Sequence, residues 1–440
     1  MGFCAEESPR FVKHFLYCVT LMFQFRLDFS APRRLFRNRN FAKFTAGNSV
    51  SVIGLWVQRV AVGWLTWDLT HSAAWLGAVG MAEFLPAIII APIAGVLADR
   101  FDRRRIAVIG QILATGQAIT LAALSLTGHI TPLLIFGLQL FSGFVQPLMQ
   151  TARLVLVPNL LPREDLGSGI AITSLTFNLA RIIGPALAGV LITTIGVGFA
   201  FALNALTYIG VIAALLSLSI PPHQPAQRTH RSILGGVWTE MSEGVRYTFS
   251  HPTLRWVMPM VALSSTLIWP LSDLLAGIAD QEFGRAAAGL AILTSAQGVG
   301  AIIGGLFLAQ HGNKNIEGVF IGAMVINGAF IAAFAITKIF WLAVPLLTLS
   351  AVFGVMVGVG SQTVTQTAAD DRMRGRTLSV WYAITRFGPA MGALGLGAAS
   401  QALGFTGPIF AAGFVTASVA LLFIMRQRRT MASNVGAKAK

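Results

Sequence analysis

The sequence predicts an all-α membrane protein of twelve transmembrane helices arranged as two six-helix halves. Three observations carry that expectation. Of 440 residues, 55% are apolar and 11% charged, with a mean hydropathy of +0.71; a soluble globular chain carries roughly 25% charged residues. Such a composition cannot clothe a whole exterior in polar groups, which argues against a soluble enzyme and excludes a disordered chain or a disulfide scaffold. The chain also divides into apolar runs of about the 20 residues that a spanning helix needs. Finally, its 32 Lys and Arg, against 17 Asp and Glu, fall almost entirely on alternate sides of those runs.

The elements follow in order. Residues 1–39 read as a basic cytoplasmic extension. Its run FLYCVTLMFQF is too short to span, lacks a small-residue cleavage site and ends at Arg26, so it lies on the membrane or precedes a start at Met22. Cys4 and Cys18 both precede the first long run, which leaves no core disulfide. Six spans are predicted at 41–67, 73–97, 106–127, 131–157, 166–194 and 198–219, separated by Gly, Pro, Asp or basic clusters, within a half at 40–219. Residues 220–254 form a cytoplasmic central loop, beginning as the linker PPHQPAQRTHR and continuing as an amphipathic surface helix, GVWTEMSEGVRYTF. Six more spans, at 255–279, 287–309, 317–337, 340–367, 377–400 and 405–425, make a second half at 255–426, before a basic tail at 427–440.

Basic clusters at Arg33–Arg39, Arg100–Arg105, Arg228–Arg246, Arg372–Arg376 and Arg426–Lys440 share one side; only Arg285 and Lys338 lie on the other. By the positive-inside rule both termini face the cytoplasm. That asymmetry accounts for most of the +15 net charge, so nucleic acid is not needed as a partner. The halves also share a faint repeat: ARIIGPALAG in the fifth span and TRFGPAMGALG in the eleventh each set an Arg just ahead of Gly-Pro. Six-plus-six about a central loop is a secondary-transporter architecture.

Between the second and third spans stands GVLADRFDRRR, residues 95–105. Gly95 permits close helix contact, Asp99 ends a helix at the surface, and the Arg cluster anchors the loop on anionic lipid or helix C-termini. The run resembles the signature loop of the major facilitator superfamily, which implies that Gly95, Asp99, Arg100, Arg103 and Arg104 form a cytoplasmic charge latch between the halves. Asp102 stands where that pattern has Gly, which puts the turn in question. WVQRVAVGWLTWDLT, EFLPAIIIAPIAG, VPNLLPRED and NLARIIGPALAG resemble the bacterial exporter branch that includes enterobactin and macrolide efflux proteins. Gly184, Pro185 and Gly189 fit the exporters' antiporter motif, with Ala180 and Ala188 replacing two glycines. An Arg usual early in the fourth span is replaced by Gln139, so its proton-transfer role does not carry over.

Charges inside the spans are costly, about 2.5–3.5 kcal/mol each on insertion scales, so they face protein or water. Glu83 and Asp273 are the acids; Arg59, Arg181 and Arg386 are the bases. Arg59 and Glu83 fall at similar depth, about 12 and 16 Å from the outer loop at ~1.5 Å per residue. Either Glu83 is a proton carrier whose protonation releases Arg59 for an anionic substrate, or the two form a permanent structural pair. Arg386 is a rival partner for Glu83. Asp273 reads nearer the outer surface, with proton coupling and solvation at the cavity mouth both open. Arg181 reads as a packing and gating element beside the Gly-Pro bend before a substrate contact, and Arg153 as a snorkelling surface cation.

Trp56, Gln139, Gln146, Trp269, Gln362 and Gln366, with Asn48, are candidates to line a path, although such residues are more often interhelical hydrogen bonds. Trp67, Trp75 and Trp341 read as interfacial anchors, and Gly298, Gly300, Gly304, Gly305, Gly354 and Gly358 as close helix packing. The sequence holds no metal-ligand cluster and no phosphate loop for ATP, and calls for no cofactor. The resemblance implies a non-enzymatic, proton-coupled exporter of small amphiphilic or anionic molecules, drugs or siderophores, in the bacterial inner membrane. Its partners would be a small-molecule substrate, protons and lipid. A lysophospholipid flippase, an uptake carrier, and a non-transporting adaptor or sensor are the alternatives.

Overall fold

The computed structural model describes residues 30–100, 102–218, 233–311 and 316–438; the expected extension before residue 30 lies outside them. The first six spans are Arg39–Thr70, Ala73–Arg100, Arg103–Leu126, Pro132–Leu160, Leu166–Thr194 and Val197–Leu216. The seventh comprises Leu254–Leu267, Leu271–Gly277 and a π-turn at Ile278–Glu282. Spans eight to twelve are Ala286–His311, Ile316–Ile336, Phe340–Ala368, Arg374–Leu403 and Thr406–Lys438. The last helix thus runs on through most of the expected tail. Eleven of these stretches are long and apolar enough to cross a membrane. The eleventh span is rich in Gly, Ser and Thr, and packs lengthwise on spans two and seven.

Packing repeats along the chain. Span two lies on four as eight lies on ten, three on six as nine on twelve, and one on five as seven on eleven. Two seams join the sets, span two on eleven and span five on eight. Outward faces are apolar, with Ile89, Leu133, Leu206, Leu403 and Phe414 all exposed, as a helix bundle solvated by hydrocarbon requires. At the two-to-eleven seam, a Cβ on Gly77 would fall on the Ala393 carbonyl, so only glycine permits that backbone approach.

Local chemistry sets the ends. Asn38 caps span one, accepting from the Asn40 and Phe41 amides at 3.0 and 3.2 Å, and donates to the Leu160 carbonyl at 2.8 Å. The helix Ser30–Arg37 docks through Arg34, whose Nε lies 3.0 Å from Asp165 at the head of span five. Asp102, the departure from the loop pattern, caps span three by accepting from the Arg104 amide at 2.8 Å. A cap replaces the expected glycine turn.

The seventh span departs from the continuous helix expected at 255–279. Residues 268–270 form a turn, because Pro270 has no N–H and its ring opposes the Thr266 carbonyl one turn back. Leu271 and Asp273 instead donate across three residues, to Ile268 at 3.2 Å and Pro270 at 3.0 Å. Irregular backbone at membrane depth is tolerated where protein or a water-filled cavity surrounds it. The predicted surface helix is present at Ile233–Ser250 and is tied to span eleven by Glu243–Arg376 at 2.7 Å.

Candidate functional site

The break in span seven opens onto a cavity of about 490 Å³. Spans one, two, seven, eight and ten supply most of its wall, with Gln139 from span four, Arg181 from span five, Asn327 and Ile331 from span nine, and Trp381 and Pro389 from span eleven. The polarity is concentrated in one cluster. Arg59 Nη2 lies 3.6 Å from Glu83 Oε2 and 3.6 Å from Asp273 Oδ1, so one guanidinium is shared by two carboxylates. A tight charge-assisted contact measures about 2.7–2.9 Å, so these pairs are loose ion pairs. The Arg59 side chain is 35% exposed, against 24% for Glu83 and 13% for Asp273.

Aromatic rings hold the cations in place. Arg59 lies 5.7 Å from the Trp56 ring and 5.5 Å from that of Phe84. Arg181 lies 5.6 Å from the same Trp56 ring, so one indole serves both guanidiniums. Among the described residues Arg181 has no ion-pair partner, whereas Arg59 has two. The wall therefore carries a compensated cation and a free one, side by side. Span five can approach closely here because Gly184 backs onto Trp56 Cβ of span one.

Eight of the predicted residues meet in this cavity: Trp56, Arg59, Glu83, Gln139, Arg181, Trp269, Asp273 and Gln362. Asp273, expected near the outer mouth, is instead held against Arg59, with Gly80 of span two against its carboxylate. Gln146, Gln366 and Arg386 are outside the wall; the Gln366 carbonyl accepts from Arg374 Nε at 2.9 Å. Arg386 is exposed, within electrostatic reach of Glu83. The two Gly-Pro segments explain its displacement: two residues separate Arg181 from Gly184, but one separates Arg386 from Gly388. A one-residue shift turns a helical side chain by about 100°.

The other predicted features divide. Gly184 faces span one and Gly189 faces Ala291 of span eight, while Pro185 is buried inside the helix. Of the signature loop, Arg104 donates to the Leu216 carbonyl at the end of span six; the side chains of Gly95, Asp99, Arg100 and Arg103 lie outside the described residues. Asn48 is buried away from the cavity. Trp67, read as an interfacial anchor, is buried and donates to Asp280 Oδ2 at 2.9 Å. Gly354 and Gly358 line the cavity, with only ordinary contacts to Asn327 and Trp269, and Gly305 faces open space. Sequence reasoning missed Phe84, Ser272, Gln297, Asn327 and Trp381, whose small polar or aromatic character inside an apolar run is too common to mark a wall.

The family model described as transmembrane secretion effector, of the major facilitator type, matches residues 30–440. The enterobactin exporter of Citrobacter koseri is 28% identical over 384 residues, covering 86% of this chain and 89% of that protein. That of Escherichia coli O1:K1 is 29% identical over 387 residues, with the same coverage. A bacterial homologue of the human lysosomal transporter Spinster, inward-facing and unoccupied, superposes with a TM-score of 0.68 at 14% identity, covering 90% of this chain and 98% of its own. A POT family transporter bound to a thioalcohol-conjugated peptide gives 0.67 at 15% identity, covering 89% and 96%. At those identities the likeness is one of fold.

Proposed function

The chain belongs to the transmembrane secretion effector family of the major facilitator superfamily, and we propose that it is a proton-coupled exporter of small amphiphilic molecules in the bacterial inner membrane. The relatives' substrate makes siderophore-like compounds the first class to test. Residues 40–219 and 255–426 would be the two rocking bodies, about a central loop at 220–254, with both termini cytoplasmic. The observation that carries the reading is the sharing of Arg59 between Glu83 and Asp273, beside the uncompensated Arg181, in one cavity.

The charge arithmetic sets the coupling. With both acids ionised the Arg59 cluster is net −1; one proton makes it neutral, and a second leaves Arg59 uncompensated. An exchanger needs a substrate that competes with the proton, because a ligand biases a conformational equilibrium only through differential affinity. A molecule whose hydroxyl or ammonium groups donate to ionised Glu83 and Asp273 meets that requirement. Its aromatic body rests on Trp56 and Trp269, and any negative group on Arg181. A second reading comes from the same looseness at 3.6 Å. An anion that sought Arg59 itself would bind best with the acids protonated, and would travel with the proton as in an uptake carrier.

Cellular accumulation of enterobactin, ethidium and erythromycin separates these outcomes, comparing wild type, Glu83→Gln and vector at matched expression, with and without an uncoupler. Export predicts lower accumulation with wild type alone, abolished by the uncoupler and by Glu83→Gln. Higher accumulation with wild type supports the uptake reading. Identical wild-type and vector profiles remove the transport of these classes.

A further inference from the structure

Behind the cavity wall a chain of buried carboxamides crosses four spans. Asn204 Nδ2 donates to Gln58 Oε1 at 2.7 Å, Gln58 Nε2 to Gln117 Oε1 at 2.9 Å, and Gln117 Nε2 to Gln139 Oε1 at 3.2 Å. All four residues are buried, and only Gln139 reaches the cavity. A carboxamide has one donating and one accepting end, so such a chain has a direction. Here the direction is anchored. Gln117 Nε2 also faces the Leu138 carbonyl at 3.4 Å, which can only accept. Reversing Gln117 would set oxygen against oxygen. Gln139 therefore meets Gln117 through its oxygen and turns its nitrogen away. Among the described residues that nitrogen has no hydrogen-bond partner, yet it is not one of the sealed, unsatisfied atoms of the interior. The cavity is the direction left to it.

We propose that Gln139 is a substrate-contacting hydrogen-bond donor, and that Gln117 is a positioning residue that sets its polarity through the Asn204–Gln58 chain. The cavity then selects ligands that present an oxygen acceptor to the span-four wall, opposite in sense to the carboxylates of Glu83 and Asp273. A chain that served packing alone would close on a satisfied partner at both ends; this one ends on a donor facing open volume. The inference rests on the cavity being the substrate site, as proposed above.

The test uses the purified full-length chain and 8-anilinonaphthalene-1-sulfonate, an aromatic amphiphile whose sulfonate oxygens only accept. Saturable probe emission, excited by energy transfer from tryptophan, reports binding. Gln139→Met is expected to weaken binding about three- to tenfold, the size of one hydrogen bond, and Gln139→Glu, which offers an acceptor, to weaken it more. Gln117→Met alone should weaken it by less, and should cost nothing further in the Gln139→Met background. If Gln139→Met fails to fold, Gln139→Asn takes its place, shortening the donor's reach. Equal losses from Gln117→Met in both backgrounds would overturn the positioning role. Unchanged binding in both Gln139 variants, with loss in Arg181→Ala, would overturn the donor while leaving the cavity as the substrate site. Binding that Arg181→Ala also leaves intact, or no saturable binding by the wild type, would overturn the reading of the cavity itself.

Discussion

At the scale of single residues, Arg59 is the pivot, since removing it takes from both Glu83 and Asp273 the one cation that pairs with them among the described residues. Breaking a dry buried pair costs about 3–5 kcal/mol. With the Arg59 side chain 35% exposed, part of that cost is screened, and Arg59→Met is expected to lower stability by about 1–3 kcal/mol. Adding Glu83→Gln to Arg59→Met should recover part of the loss in a thermal melt, whereas simple loss of packing would make the two changes add. Charged residues were legible in the sequence because each is expensive in an apolar run, so Arg59, Glu83, Arg181 and Asp273 could be named before any fold was known. The partnership of Asp273 was not, because it depends on how Gly80 lets span two approach span seven. The carboxamide chain was less legible still. Gln58, Gln117 and Asn204 are neutral and lie on three spans, and nothing local relates them.

At the scale of elements, hydropathy located the helix ends to within a few residues, except that the twelfth helix runs on to Lys438, and it did not mark the turn at 268–270. Pro270 marked it, yet proline is common in spanning helices and often leaves them continuous. Glycine is similarly ambiguous. Gly304 and Gly305 look alike in sequence, but a Cβ at Gly304 would fall on the Val352 carbonyl of span ten, and one at Gly305 would meet nothing. Gly304→Ala should therefore force spans eight and ten apart, at a cost of about 1–3 kcal/mol. Gly305→Ala should be neutral, or stabilising by about 0.5–1 kcal/mol through helix propensity. Matched melting curves in detergent check the contrast, and similar shifts for both would refute the packing of these two spans.

At the scale of the whole molecule, alternating access requires contacts between the halves that one state has and another lacks. On the side away from the termini the two sets of six spans touch. Trp67 of span one bonds Asp280 of span seven at 2.9 Å, Gly277 lies against Trp67 and Phe405, and Gly189 lies against Ala291. Pairings between spans so distant in the chain leave no trace in periodicity or charge, which is why Trp67 read as an interfacial anchor instead of a latch. Under the proposed rocking motion, this latch favours the state closed on that side. Trp67→Phe keeps the ring on Phe405 but leaves Asp280 without its donor, a loss of about 1.5–3 kcal/mol for a bond to a charged acceptor. By population arithmetic that shifts a two-state equilibrium at least tenfold toward the opposite opening. A cysteine at Val62, in the cavity wall, reports the shift once Cys4 and Cys18 are replaced by serine. Its labelling by an impermeant thiol reagent applied to intact cells should rise severalfold in Trp67→Phe. Equal labelling in the two backgrounds would show that the Trp67–Asp280 contact is a fixed part of the bundle, and that any opening on that side leaves it intact.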